Sequence, residues 1–346
     1  MNQLKTGNFV VVSHLNFLFT PWAPQSLPLF PRRSMKRILL LLSLSLLPAS
    51  AQEKSLSDLA LEPPLIHLSP GPEYADAVRP GNMILGMDRT PKGRLWAAWV
   101  GNGDSPNGFF LLATSDDDGK TWSPPKVVID PQDGQQSGVS YERRSLVGNL
   151  WTDPLGRLWC FFDQSLGYFD GRAGDWFIRC DNPDAAAPEW TDPVRFADGC
   201  TLNKPTVLSN GDWLLPVSLW TRDRIGGIGV DKEGHKDLDS LRMANVFVSS
   251  DQGKTWKRRG GVAFPQTDFD EHMIIERKDG SLWMLARTKQ GISESTSLDH
   301  GITRAIPNRA PFRMSVLAFL SAAWLRVNSS SSKTVPSTCG CRTARI

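Results

Sequence analysis

The sequence predicts an all-β propeller, in which antiparallel four-stranded blades repeat around an axis, and three observations carry that expectation. A Gly-centred turn entering a Leu- and Trp-rich run recurs four times, as PKGRLWAAW (91–99), PLGRLWCFF (154–162), NGDWLLPVSLW (210–220) and KDGSLWMLAR (278–287). A second motif, SxDxGxTW, is complete in SDDDGKTW (115–122) and SSDQGKTW (249–256); SLDHGITR (297–304) repeats it but ends in Arg304. The 346 residues include 13 Trp, 29 Gly and 25 Pro, a composition suited to short strands and frequent turns.

The elements of a blade follow in order. Each Gly turn reads as a hairpin turn and the start of its second strand. The first strand precedes it, as NMILGM, SLVGNLW, PTVLS and HMIIER. A third strand follows, clearest in FFLLAT and NVFVSS, and the SxDxGxTW box then turns the chain into a fourth, such as KVVID. Within the box, Asp117 or Asp251 can accept backbone N–H groups, Gly119 or Gly253 can supply a positive φ, and Trp122 or Trp256 can pack beneath the blade. The box is therefore structural. Aligning the turns on Trp96, Trp159, Trp213 and Trp283 gives units of roughly 60 residues.

Charge and segment composition separate a body from two ends. Residues 1–37 and 304–346 hold basic but no acidic side chains, so all 36 Asp and Glu lie between them and the body is net acidic. Such a body lacks the basic face that neutralising nucleic-acid phosphates requires. Met35 opens MKRILLLLSLSLLPASA, a basic start, a short apolar run and a small-x-small end, which reads as a signal peptide over 35–51. Export to the periplasm or exterior is expected, and 1–34 reads as an upstream start-site overcall. The apolar run is too short for a stable membrane span. Export permits disulfides, but Cys160, Cys180 and Cys200 cannot all pair and are expected to be mostly structural.

The propeller reads from 52 to 303, and the pattern fails in 304–346. That tail is compatible with a reading frame displaced near Arg313, since one back-translation restores AAGELLLVKN, another Gly turn and strand. Strand direction puts the starts of first strands and the ends of second strands on one rim, opposite the boxes. Charged and polar candidates on that rim are Arg79, Asp104, Arg143, Arg144, Asn203, Lys204, Arg222, Asp270, Glu271, His272 and Arg287. His272 has no second His at ligand spacing, so neither a metal nor another cofactor is expected.

With its boxes and rim, the chain resembles the sialidase (neuraminidase) family from about Tyr74 to Thr303. The resemblance implies a six-bladed propeller, of which 52–303 has length for about four blades, and hence a truncated, inactive chain. It implies that VRPGNMI carries a carboxylate-binding Arg79 and that GNGDSPN carries the acid/base Asp104, 25 positions on. It further implies that FDEHMIIER carries Glu271 as base to a tyrosine nucleophile and LARTKQG a second arginine, Arg287, 16 positions later. Arg144, Asn203, Lys204, Arg222 and His272 complete the expected substrate-binding set. No tyrosine follows Tyr168, so the family's late nucleophile and its third arginine find no position. The expected function is a secreted exo-sialidase-like glycoside hydrolase acting on sialylated glycans. The alternatives are a propeller hydrolase or lyase for another anionic glycan, or a propeller that binds glycans without turnover.

Overall fold

The computed structural model describes residues 59–79, 81–131, 143–302 and 307–309. The readings of an overcalled start and a signal peptide, and of the tail beyond Arg309, lie outside the described residues. Four antiparallel sheets succeed one another as four blades. Blade one comprises β1 (Leu65–His67), β2 (Asn82–Arg89), β3 (Leu95–Gly101), β4 (Phe109–Ser115) and β5 (Val127–Asp130), with β1 returning to the outer edge beside β5. Blade two comprises β6 (Arg143–Arg144), β7 (Gly148–Thr152), β8 (Leu158–Leu166), β9 (Gly174–Cys180) and β10 (Val194–Ala197). Blade three runs through β11 (Thr206–Val207), β12 (Trp213–Ser218), β13 (Ala244–Ser249) and β14 (Lys257–Val262). Blade four runs through β15 (Thr267–Glu276), β16 (Leu282–Thr288), β17 (Gly291–Ser297) and β18 (Asn308–Arg309). Because β18 pairs with β17, the propeller reaches six residues past the expected boundary at 303.

One turn design joins the first two strands of every blade. The flanking pairs are Arg89↔Leu95, Thr152↔Leu158, Val207↔Trp213 and Glu276↔Leu282, each closing a five-residue loop. In each loop the first residue's N–H bonds the fifth residue's carbonyl, and the glycine N–H bonds the first residue's carbonyl. The glycines Gly93, Gly156, Gly211 and Gly280 have φ between 80° and 102°, where a side chain is disfavoured. This register corrects the alignment of tryptophans. Trp96, Trp159 and Trp283 occupy the second position after the loop, whereas Trp213 occupies the first and Leu214 takes the equivalent place. A one-residue offset reverses the face. Trp213 therefore points back at blade two, its ring 4.8 Å from Trp151 and 6.3 Å from Trp159.

The boxes form the turns linking third to fourth strands, and Ser297–Ile302, the described part of the third copy, forms the same turn as the two complete boxes. Ser115, Ser249 and Ser297 each accept the N–H of the glycine four residues on at 2.8 Å. Each also donates its hydroxyl to the box aspartate at 2.7–2.8 Å. The residue and glycine after that aspartate are left-handed in all three, down to His300 (φ 57°) and Gly301 (φ 92°). Serine, aspartate and glycine thus suffice for the turn, and the tryptophan serves packing. Trp256 is 9% exposed among Phe161, Phe196 and Trp213, while Trp122 is 41% exposed.

Apolar side chains between adjacent blades form the core. Trp96, Phe110, Leu150 and Phe162 lie between blades one and two, Trp159, Phe161 and Trp213 between two and three, and Leu214, Val246 and Met284 between three and four. Cys160, Cys180 and Cys200 are buried free thiols. Burial pushes the Cys180 thiol up to about 11 and raises Cys160 and Cys200 too, which suits packing rather than reactivity.

Candidate functional site

Arg79 and Asp104 stand at the head of β2 and beyond the end of β3, and Glu271 and Arg287 near the head of β15 and the end of β16. All four are at the blade ends opposite the boxes. Asp104 is exposed on a tight loop set by left-handed Asn102 and Gly103 and closed by Asn102 Nδ2 on the Asn107 carbonyl at 3.1 Å. Its charge raises both the Tyr168 phenol and the Glu271 carboxyl, adding to the effect of their burial.

Blade four presents the densest charge. Arg287 donates from Nη1 to Glu271, from Nη2 to Asp268 Oδ2 at 2.8 Å and from Nε to the same oxygen at 3.1 Å. Asp268 also accepts from Arg224 Nη2 at 2.7 Å, so one carboxylate ties two guanidiniums. Both arginines lie over Phe269, Arg224 at 3.9 Å from the ring centroid and Arg287 at 5.7 Å. Burial raises the Glu271 carboxyl; Arg287 opposes the shift, while Asp268 and Asp104 add to it.

The chain is contorted where Glu271 is presented. Phe269, Asp270 and Glu271 all have positive φ, at 63°, 56° and 42°, and the β15–β16 register shifts on either side of Asp270. Left-handed backbone in three successive residues with side chains is unfavourable and persists where surrounding contacts impose it. Those contacts are visible. Asp270 is buried against Thr267 and accepts the Ser218 hydroxyl at 2.8 Å, and Asn203 Nδ2 donates to the carbonyls of Glu271 and His272, both at 3.0 Å.

Several expected substrate contacts are otherwise engaged. Asn203, 2% exposed, is spent on that backbone. His272 is also 2% exposed, and its Nε2–H donates to the Asn245 carbonyl at 2.7 Å; burial holds its imidazole at about 4, so it is a neutral strut between blades. Lys204 does not face the rim, because Nζ bonds Met87 O at 2.8 Å and Asp88 at 3.0 Å, bracing blade three against blade one. Arg222 is consumed by Asp239 and the carbonyls of Lys232 and Gly234, which shape the loop between β12 and β13. Arg79 is buried over Trp99 at 5.5 Å and pairs with Asp76, with no described contact to Glu271 or Arg287. Arg143 is buried too, and Nη2 bonds Glu62 O and Gln164 at 3.1 Å.

Arg144 is wholly buried, paired with wholly buried Asp163, and so cannot reach a ligand. Asp163 Oδ1 accepts the N–H groups of Leu146 and Val147 at 2.9 and 3.0 Å, where the inner strand breaks between β6 and β7. From there Arg144 Nε bonds the Tyr168 carbonyl at 2.7 Å and its guanidinium lies over the Tyr168 and Trp220 rings. Sequence reasoning missed Tyr168, Arg224 and Asp268 as site residues. The doublet of arginines in TRDR and the acid-rich TDFDEH were the available signals for two of them. Tyr168 had none, since only the fold brings its ring against Arg144 at that blade end.

Among the described residues no three His, Cys, Asp or Glu gather as metal ligands. A cavity of about 420 Å³ opens at the opposite, box-bearing end beside Trp122 and Lys126. Three of its charged side chains are already engaged, with Arg94 bound to Asp116 at 2.7 Å and Asp117 bound to the Thr121 N–H at 2.9 Å.

A blade-by-blade propeller, with boxes at one end and a cluster of carboxylates, arginines and a tyrosine at the other, defines an Asp-box propeller protein. A family model described as "BNR repeat-like domain" matches residues 93–330, and the chain belongs to that family. Among solved structures it is similar to a Hadza microbial sialidase, with 18% identity, TM-score 0.52 and coverage of 69% of this chain and 48% of that one. It is also similar to an intramolecular trans-sialidase from Ruminococcus gnavus (13% identity, TM-score 0.49, 67% of this chain and 71% of that one). A protein of unknown function from Dyadobacter fermentans is another (16%, 0.48, 68% and 73%). At such identities the likeness concerns the fold. The chain spans about half the length of the microbial sialidase. No curated protein matches the sequence.

Proposed function

We propose that the chain is an exported sialidase-like glycoside hydrolase whose substrates are glycans ending in an acidic sugar, sialic acid foremost. The observation that carries this reading is the cluster of Glu271, Arg287, Asp268 and Arg224 at the blade ends opposite the boxes, the end where Asp104 also stands, on a propeller of the BNR repeat-like family. Asp104, exposed and on a rigid turn, serves as acid/base toward the glycosidic oxygen. Arg287 retains donors beyond those spent on Glu271 and Asp268, and a guanidinium meets a carboxylate with two parallel hydrogen bonds. Burial raises the Glu271 carboxyl, which favours its taking up a proton.

A second reading, a propeller that binds an anionic glycan without turning it over, is favoured by the prior engagement of Arg144 with Asp163. Turnover of a fluorogenic sialoside, compared between the unaltered chain and Glu271→Gln, tests the first reading. Glycan-array binding of sialylated probes with no released sugar replaces it with the second.

A further inference from the structure

We infer that the box-bearing end of blade one carries a second binding site, for the uncharged sugar rings of an oligosaccharide, with Trp122 as its stacking platform. The inference is independent of the function proposed above, because this site lies at the blade ends opposite Glu271 and Arg287.

The two complete boxes make the same turn but use their tryptophans differently. Trp256 is followed at once by β14 and packs among Phe161, Phe196 and Trp213. After Trp122 the chain instead reads Ser123-Pro124-Pro125-Lys126 before β5 begins at Val127. The N–H groups of Ser123 and Lys126 bond the Thr114 and Leu112 carbonyls of β4, at 2.9 and 2.7 Å, and the two prolines between them have fixed φ. Trp122 and Lys126 are thus presented on a stiff segment. A single exposed aromatic means little by itself. This one borders a cavity of about 420 Å³, within the size range of ligand sites, which Ala186 and Pro188 from the loop between β9 and β10 also line.

The lining charges balance, Arg94 and Lys126 against Asp116 and Asp117, so the cavity has no net charge to select an anion. Arg94 meets Asp116 side by side, Nε to Oδ1 at 2.7 Å and Nη2 to Oδ2 at 3.1 Å, and each carboxylate oxygen keeps a lone pair for a hydroxyl proton. Lys126 adds ammonium donors. A pyranose ring matches this set: its C–H face is apolar and can cover an indole, while its hydroxyl groups both donate and accept. A polar cleft of about 380 Å³ shares Arg94 and Asp116 and takes in Lys92 and Asp184, which gives room for a further ring.

Lactose, cellotriose and maltotriose serve as neutral probes, titrated against the full chain and followed by saturation-transfer NMR. At least one should receive transfer, strongest at ring C–H protons. Trp122→Ala should weaken that binding about tenfold, and Trp122→Phe, which keeps an aromatic face, should recover most of it. A melting curve shows that each variant is folded; should Trp122→Ala not fold, Trp122→Gln supplies the same comparison. Absence of transfer to all three probes overturns the inference, as does binding that Trp122→Ala leaves unchanged. Equal losses in Trp122→Phe and Trp122→Ala overturn the stacking role.

Discussion

The guanidinium of Arg287 is held between two carboxylates, Glu271 on one side and Asp268, at 2.8 Å, on the other. Both Arg287 and Glu271 are largely buried, with side chains 23% and 13% exposed. Truncating one partner of such a pair leaves the other desolvated and unpaired. Arg287→Ala should therefore cost about 1–3 kcal/mol of stability as well as activity, whereas Glu271→Gln keeps an acceptor and should cost little. Urea unfolding of both variants beside a sialoside assay separates the two effects. Equal stability losses would argue against this account of the pair.

His272 predicts a pH dependence whose sign is fixed by burial. Its folded value of about 4 lies below the ordinary 6.5, so between these values the unfolded chain binds a proton that the folded chain refuses. Its contribution to stability is intact above about 6.5 and is lost as the pH falls toward 4, by up to roughly 3 kcal/mol. Subtracting the stability curve of His272→Gln from that of the unaltered chain over this window should reveal the slope.

Asp175 predicts the opposite trend. It is wholly buried opposite Asp163 in the β8–β9 ladder, and neither carboxylate oxygen has a hydrogen-bond partner among the described residues. Burial, with a further push from Asp163, raises its carboxyl well above 3.8. The folded state therefore keeps a proton that the unfolded state releases above that value, and stability declines as pH rises from there toward the folded value. Asp175→Asn removes this penalty and should raise the melting temperature at pH 7 but not at pH 3.5. A lower melting temperature at both would refute it.

The two complete boxes should respond unequally to loss of tryptophan. Trp256→Ala empties a site among Phe161, Phe196 and Trp213 and should cost about 3–5 kcal/mol. Trp122→Ala, at a position 41% exposed, should cost well under half as much. Thermal unfolding of the two variants decides.

The features legible along the chain are local ones. Five-residue glycine turns and Ser-x-Asp-x-Gly boxes are built from contacts a few residues apart, so their spacing declared four hairpins and a propeller before any tertiary contact was known. The boxes also declared which blade ends they occupy, and strand direction then placed Arg79, Asp104, Glu271 and Arg287 at the other end. The tertiary structure decided what each rim side chain does there. Arg144, Lys204 and Arg222 are identical in kind to a ligand-binding cation; only their burial and partners, Asp163, Asp88 and Asp239, reveal bracing. Trp213 matches the other turn tryptophans in letter, yet a one-residue register difference turns it to the opposite face. Arg224 reaches Asp268 across 44 positions, and no periodicity encodes that meeting. Turn chemistry is short-ranged and readable along the chain, whereas a site assembled by blade packing depends on distances that exist only once the blades have come together.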